Sequence, residues 1–409
     1  MRIMSLMNVT NGDRCGADSG WIFNNLIAEE FIRAGHEFIF VGPTPLKEGL
    51  GTNVPYDFGG NKYSIRFDFN LDDFIRIINE HDPDVILANQ LEIVPQLRAA
   101  STLGPNRAKI FGYAHYIPWW SEPDKPMVTD PSQNTNGISR LVVNAFMNGV
   151  DECDGVFTHS ETSQNFLRLG FQTFGRTIKT PLGMVPPPYD PFLNETTDHT
   201  HSSGAVTALY GHRLYQHYGS EYFANEIAPR LTELGINVRV MDVLGKRSEE
   251  RRKLDPYPEQ IRDRLAQIEG VEICTSGCKR KNYRDSIQES TFGIAPLRPG
   301  TPWSMSCIDM MAAGKPMIAP NISWYAEALP ENLRFNPDKP DEIQGIALRL
   351  MENPSFYTEM SRECLERTRN LAPSNIAGTM LTNFAMSTGM GQFAIMRSVK
   401  TKSCKKYAK

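Results

Sequence analysis

Short apolar runs alternate with amphipathic stretches along this chain, and that rhythm predicts its architecture. MRIMSLMNV at the start reads as a strand, GWIFNNLIAEEFIRAGHEF places apolar residues at helical spacing and stops at Gly35, and EFIFVG reads as a second strand. The pattern recurs: LDDFIRIINEHDPDVILAN predicts helix then strand, AKIFGYAHY a strand, ISRLVVNAFMNGVDECDGVFTHS helix then strand, and ETSQNFLRLGF a helix. Between Thr180 and Gly204 prolines and then polar residues take over, in TPLGMVPPPYDPFLNETTDHTHSSG, which disfavours regular structure and marks a domain boundary. Alternation then resumes. AVTALYG, INVRVMDVLG, VEICTSG and TFGIAPL read as strands, with helices expected in SEYFANEIAPRLTELG, PEQIRDRLAQIEG and YRDSIQES. Helical patterns from Asp338 to Met386 close the chain with no clear strand among them.

Apolar runs followed by amphipathic helices are the pattern of right-handed βαβ units and parallel sheets covered on both faces. The expected fold class is therefore α/β, with two doubly wound Rossmann-like domains facing a cleft and C-terminal helices. The expected boundaries are 1–190 for the first domain, 205–375 for the second, 376–395 for a helix returning to the first, and 396–409 for a basic tail. Doubly wound sheets bind ligands at the carboxyl ends of their strands, so the sites should face the cleft.

At 409 residues, 40% hydrophobic and 22% charged, the chain is long enough for two ordinary domains. No run of apolar residues is long enough to span a membrane, and the first residues lead straight into a strand pattern, so a cytoplasmic protein is expected, in the host cytoplasm if viral. The seven cysteines are scattered and odd in number, which favours free thiols. Cys274 and Cys278 form the only close pair, and nothing nearby completes a four-ligand zinc set, so no metal site is expected. A net charge of −4 gives no general attraction to polyanions. The C-terminal RSVKTKSCKKYAK is the exception, with six basic residues and no acid; it reads either as a solvated tail or as a segment able to lie along a polyanion.

Several segments carry residues suited to chemistry. The loop after the first strand, NVTNGDRCGADSGW, holds Gly12, Gly16 and Gly20, which let backbone approach a ligand, or simply turn. Its spacing fits neither a dinucleotide fingerprint nor a P-loop. His115 lies just past a predicted strand, followed by Tyr116, Trp119 and Trp120; it is structural, or it faces a pocket that those aromatics wall. His159 also ends a strand but reads as structural beside a helix cap at Ser160. Arg213 follows a strand, where a guanidinium either clamps a diphosphate or makes a surface salt bridge. TSGCKRKNYRD holds four basic residues that contact a nucleotide or form a solvated face. The loop LRPGTPWSMS offers Thr301, Ser304 and Ser306 at a helix start, a suitable anion site. One turn further in stands Asp309, either a solvated helix-face acid or a carboxylate accepting from ribose hydroxyls.

These segments resemble the GT-B glycosyltransferases of the retaining, group 1 (family 4) type over nearly the whole chain. GADSGWIFNNLIAEEFIRAGHEFIFVG is similar to the family's glycine loop, first helix and second strand, GHRLYQHYG resembles its GRL...KG segment, and CIDMMAAGKPMIA resembles LLEAMAAGKPVIA. The resemblance implies a nucleotide-diphosphate sugar donor, UDP-sugar favoured, bound in the second domain, and an acceptor held by the first. It implies no further cofactor and no metal. It places His115 beside the sugar, Gly16 near the diphosphate or sugar, and Arg213 on the diphosphate, with Tyr218, Lys246, Thr301, Ser304, Ser306 and Asp309 on the donor, and Tyr116, Trp119 and Trp120 on the acceptor. Three positions depart from the family. Thr301 and Asp309 stand at its paired glutamates, and Tyr218 stands at its lysine, with His217 or Lys246 as the expected source of the missing charge. The loop order also looks similar to the bacteriophage α-glucosyltransferase that acts on hydroxymethylcytosine, so duplex DNA with hydroxymethylated bases is one expected acceptor. A glycan, lipid or small molecule is the other, and a non-catalytic nucleotide-sugar-binding protein is the alternative outside enzymes.

Overall fold

A computed structural model describes residues 1–7, 18–59, 64–122, 125–129, 137–196, 205–241, 256–274 and 280–389. Gly16, Lys246, Cys278 and the tail from Arg397 lie outside the described residues.

Two parallel sheets form. The strands of the first are β1 (Arg2–Leu6), β2 (Glu37–Gly42), β3 (Thr52–Pro55), β4 (Val85–Ala88), β5 (Lys109–Tyr113), β8 (Gly155–Thr158) and β9 (Leu182–Met184). They lie in the order β3-β2-β1-β4-β5-β8-β9. Between β5 and β8 the chain makes an antiparallel hairpin, β6 (Trp119–Glu122) and β7 (Lys125–Thr129). The second sheet holds β10 (Thr207–Tyr210), β11 (Asn237–Met241), β12 (Val271–Cys274), β13 (Phe292–Ile294), β14 (Met317–Pro320) and β15 (Arg334–Phe335), in the order β12-β11-β10-β13-β14-β15. Each order reverses once, between β1 and β4 and between β10 and β13. Those switch points are where outgoing loops part and leave a crevice.

The first sheet is flanked by α1 (Ser19–Arg33), α2 (Leu71–His81), α3 (Val94–Leu103), α4 (Ser139–Glu152) and α5 (Glu161–Thr173), followed by the short α6 (Pro191–Thr196). The second carries helical turns at 220–233, then α7 (Tyr257–Leu265), α8 (Arg280–Glu289), α9 (Met305–Ala312), α10 (Ser323–Ala328), α11 (Glu342–Glu352) and α12 (Pro354–Thr368). The last described helix, α13 (Pro373–Ser387), lies on the first sheet. Its Phe384 meets Phe31, Phe111 and Phe157 with ring centroids 6.2, 4.8 and 5.8 Å away. Burying one such ring contributes about 2 kcal/mol. Among the described residues no helix is long and apolar enough to cross a membrane.

Local chemistry sets the helix starts that matter for the site. Asp18 caps α1, accepting from the amides of Gly20 (2.8 Å) and Trp21 (3.3 Å). Ser160 caps α5 in a reciprocal box with Ser163, and Ser304 caps α9 by accepting from the Cys307 amide.

The structure differs from the sequence reading in the proline-rich boundary and the aromatic run. Leu182–Met184 joins the first sheet as its edge strand, where one unpaired side tolerates the prolines that follow. Trp119 opens β6, and its side chain is 1% exposed, with its indole N–H donating to the Phe166 carbonyl at 2.7 Å and its ring against Phe146. Trp119 is therefore a core residue and not an acceptor wall.

Candidate active site

A cavity of about 400 Å³ opens between the two sheets, within the size range of small-molecule sites. The first sheet contributes Asp18, Ser19 and Ile22 from the start of α1, Arg66, and His115, Tyr116 and Ile117 from the loop after β5. From the second come Gly211, His212, Arg213 and Tyr218 after β10, Arg280 and Tyr283 on α8, Arg298 after β13, and the run Thr301–Ser306 leading into α9. Four arginines and one carboxylate line it, and of these Arg66 is ion-paired with Glu92 and Arg280 with Asp190 and Asp309.

His115 is aimed by both sheets. Its Nε2 lies 2.7 Å from the Ser19 hydroxyl, and its backbone carbonyl accepts from the Trp303 indole at 3.1 Å. Burial pushes its pKa down to about 4; the Asp18 carboxylate opposes this and the Arg213 guanidinium adds to it. The imidazole is neutral at pH 7. Arg213 thus stands within electrostatic reach of His115, and both residues line the one cavity.

On the second sheet's side, the amino end of α9 opens into the cavity through Ser304 and Ser306, whose hydroxyls are 3.3 Å apart. Sequence reasoning missed His212, which is 5% exposed and holds the Ser306 hydroxyl at 3.1 Å from Nδ1. Burial and the neighbouring Arg298 push His212 down to about 3, with a backbone bond to Ile294 opposing, so it stays neutral. Arg298 was also missed. Its guanidinium sits 4.5 Å over the ring of Tyr218, the position where the family resemblance has lysine. Lys246 lies outside the described residues and His217 does not line the cavity, whereas Arg298 does. No sequence signal marked it, since Arg298 lies in a loop two residues before Gly300. Gly219, next to Tyr218, has φ +60°, and a Cβ there would meet the Leu297 carbonyl at 2.3 Å, so the turn beneath the cavity needs glycine.

Thr301 is 1% exposed, and its hydroxyl donates to the Arg298 carbonyl at 2.7 Å, which shapes the loop. Asp309 does not line the cavity. It is fully buried behind Arg280 and Tyr283, which do. The expectation of a carboxylate open to a ribose is corrected on this point, because protein donors occupy both its oxygens. Tyr116 lines the acceptor side, with Arg66 4.6 Å over its ring and Arg66 ion-paired with buried Glu92. Trp120 does not line the cavity; it packs at Gly300 of the second sheet's loop, where any Cβ would strike its ring at 2.5 Å.

The sequence matches no family model and no curated protein. Solved structures do match. HepE from Anabaena, in complex with UDP and glucose, is 12% identical, with 94% of this chain and 99% of that one covered at a TM-score of 0.69. Sucrose-phosphate synthase from Thermosynechococcus elongatus is 13% identical over 94% of this chain and 98% of that one, also at 0.69. A glycosyltransferase from Rickettsia africae is 11% identical over 94% and 98%, at 0.63. The fold is GT-B. Two GT-B sheets meeting at their carboxyl edges explain why loops far apart in sequence, at 18–19, 115–116, 211–213 and 301–306, line one cavity.

Across the cleft the two halves are joined directly. The Ser160 hydroxyl donates to the Pro302 carbonyl at 2.8 Å. Glu327 of α10 accepts from the amides of Glu161 (3.1 Å) and Thr162 (3.0 Å) at the start of α5. His159 and Trp303 stack across the same junction.

Proposed function

We propose that this chain is a retaining glycosyltransferase that moves a sugar from a nucleotide-diphosphate sugar, UDP-sugar favoured, to an acceptor hydroxyl. The observation that carries this reading is the pairing, in one GT-B cleft, of Arg213 and Arg298 with the amino end of α9. Guanidinium groups and helix amides suit a diphosphate. The cavity faces the first sheet's His115 and Tyr116, where a sugar and its acceptor would meet. HepE, of the same fold, is solved in complex with UDP and glucose.

In the proposed reaction the bond from the anomeric carbon to the diphosphate breaks and the nucleoside diphosphate leaves. An oxocarbenium-like centre forms, the acceptor oxygen bonds to the same face, and its proton passes to the departing phosphate. Arg213, Arg298 and the α9 amides stabilise the charge that develops on that phosphate, a preorganised field of the kind that supplies much of enzymatic rate acceleration. Neutral His115, held by Ser19, lies on the sugar side. The donor enters as substrate, and the reaction as written uses no other cofactor.

Trp119 lies in the core and Trp120 at the junction, so of the three aromatics expected at the acceptor only Tyr116 lines the cavity. The test is a donor screen read by mass change of candidate acceptors, with duplex DNA carrying hydroxymethylated bases as one arm and glycans as another. Sugar transfer to any arm supports the reading. Absence of both transfer and donor hydrolysis with every nucleotide sugar argues for the non-catalytic alternative.

A further inference from the structure

The carboxylate of Asp309 takes three hydrogen bonds from within the protein. Oδ1 accepts from the Asp190 amide at 2.9 Å; Oδ2 accepts from Arg280 Nη2 and from the Tyr283 hydroxyl, each at 3.0 Å. Asp190, in the segment joining the two sheets, takes part in the same network. Its own carboxylate accepts from Arg280 Nε at 2.9 Å and from Arg284 Nε and Nη2 at 2.7 and 3.0 Å. Two buried acids therefore hold two guanidinium groups and a phenol in one fixed arrangement, as a satisfied buried network does. Burial pushes Asp309 up from the usual carboxylate range, with Arg280 opposing. For Asp190 burial also works against ionisation, but the bonds and charges of Arg284 and Arg280 outweigh it and hold it low.

What reaches the cavity is the other side of this network. Arg280 and Tyr283 line it, with the guanidinium 4.6 Å over the phenol ring. We propose that Asp309 is a positioning residue that acts through Arg280 and Tyr283, so that the nucleoside end of the donor meets a guanidinium and an aromatic ring where a carboxylate was expected. This rests on the donor reading above. The chemical consequence is a reversal of polarity. A carboxylate accepts hydrogen bonds from ribose hydroxyls, whereas a guanidinium only donates, to base carbonyls, ring oxygens or phosphate. The Tyr283 hydroxyl is committed to Asp309, which leaves its ring to pack on the ligand. To touch a ribose, Asp309 would have to give up three hydrogen bonds at a site of 0% exposure.

Calorimetric titration of UDP and 2′-deoxyuridine diphosphate into wild type, D309N, R280M and the double variant tests this, with thermal unfolding of each as a folding check. D309N is expected to weaken UDP by about 10-fold, the effect of losing one charge-assisted bond. It should weaken the deoxy compound equally, so that the ratio of the two affinities stays at the wild-type value. The double variant is expected to lose less than the two single losses combined, because Asp309 and Arg280 share one contact and only the path through Tyr283 remains to be lost. A ratio that collapses in D309N, or losses that add in the double variant, overturns the proposal. If D309N does not fold, R280M decides alone: UDP binding weakened with the ratio unchanged supports the proposal, and UDP affinity that stays at the wild-type value overturns it. Failure of wild type to bind UDP at all is a different result, which removes the donor reading itself and this inference with it.

Discussion

The indole of Trp303 lies flat on the imidazole of His159, their centroids 4.8 Å apart and their planes within 6° of parallel. One residue belongs to the loop before α9 and the other to the end of β8, so this stack is a contact between the two halves of the molecule. The same indole donates its N–H to the His115 carbonyl at 3.1 Å. A single side chain therefore ties the loop before α9 to both His159 and His115.

Trp303→Phe keeps an aromatic ring against His159 but removes that N–H. The expected loss is about 1 kcal/mol of stability from the missing hydrogen bond, measured by urea denaturation at pH 7.5. Unchanged stability would mean that the bond contributes nothing to the junction.

Glu327 reaches across to cap a helix of the other half. Glu327→Ala removes an anion from the amino end of α5, where Ser160 remains as the local cap, and should cost about 1 kcal/mol. Hydrogen exchange gives a sharper reading. The amides of Glu161 and Thr162 should exchange faster in the variant, while those of α1 keep their wild-type rates. Uniform acceleration would instead indicate general destabilisation.

Acidification should weaken the fold before most carboxylates titrate. His159 is 2% exposed and His212 5%. Burial, with charge from His115 for the first and Arg298 for the second, keeps both below their usual 6.5, His212 at about 3. The unfolded chain binds protons at these histidines as pH falls below 6.5 and the folded chain does not, so stability declines with falling pH and continues to do so until the folded values are reached. At pH 5.5 the loss should be about 1 kcal/mol per histidine. Urea midpoints at pH 7.5 and 5.5 check this, and a midpoint that rises on acidification contradicts it.

Much of the fold was legible because periodicity is a local signal. The strands at β1, β2, β4, β5, β8, β10 and β13 and helices such as α1, α2, α4 and α5 follow directly from it. β3, β9 and β15 carry less pattern, being two to four residues long at or near sheet edges, and β6 was read as a pocket wall because an aromatic pair looks the same exposed or buried. In the site, residues just past strand ends, His115 and Arg213, were legible from position alone. Arg298 and His212 were not, since their importance comes from which other loops fold beside them. Asp309 was read as a solvated acid or a ribose ligand and is neither, because its partners Asp190, Arg280 and Tyr283 lie 119, 29 and 26 positions away in sequence. No local pattern reports such a network.

Arg213 offers the most direct test of the cleft as a nucleotide-diphosphate site. Wild type should bind UDP in a one-to-one calorimetric titration and bind uridine, which lacks the diphosphate, far more weakly, while Arg213→Ala should lose most of that difference and reduce transfer on the order of 10²-fold. Equal affinity for UDP and uridine, or an Arg213→Ala protein that still separates them as wild type does, would contradict the account.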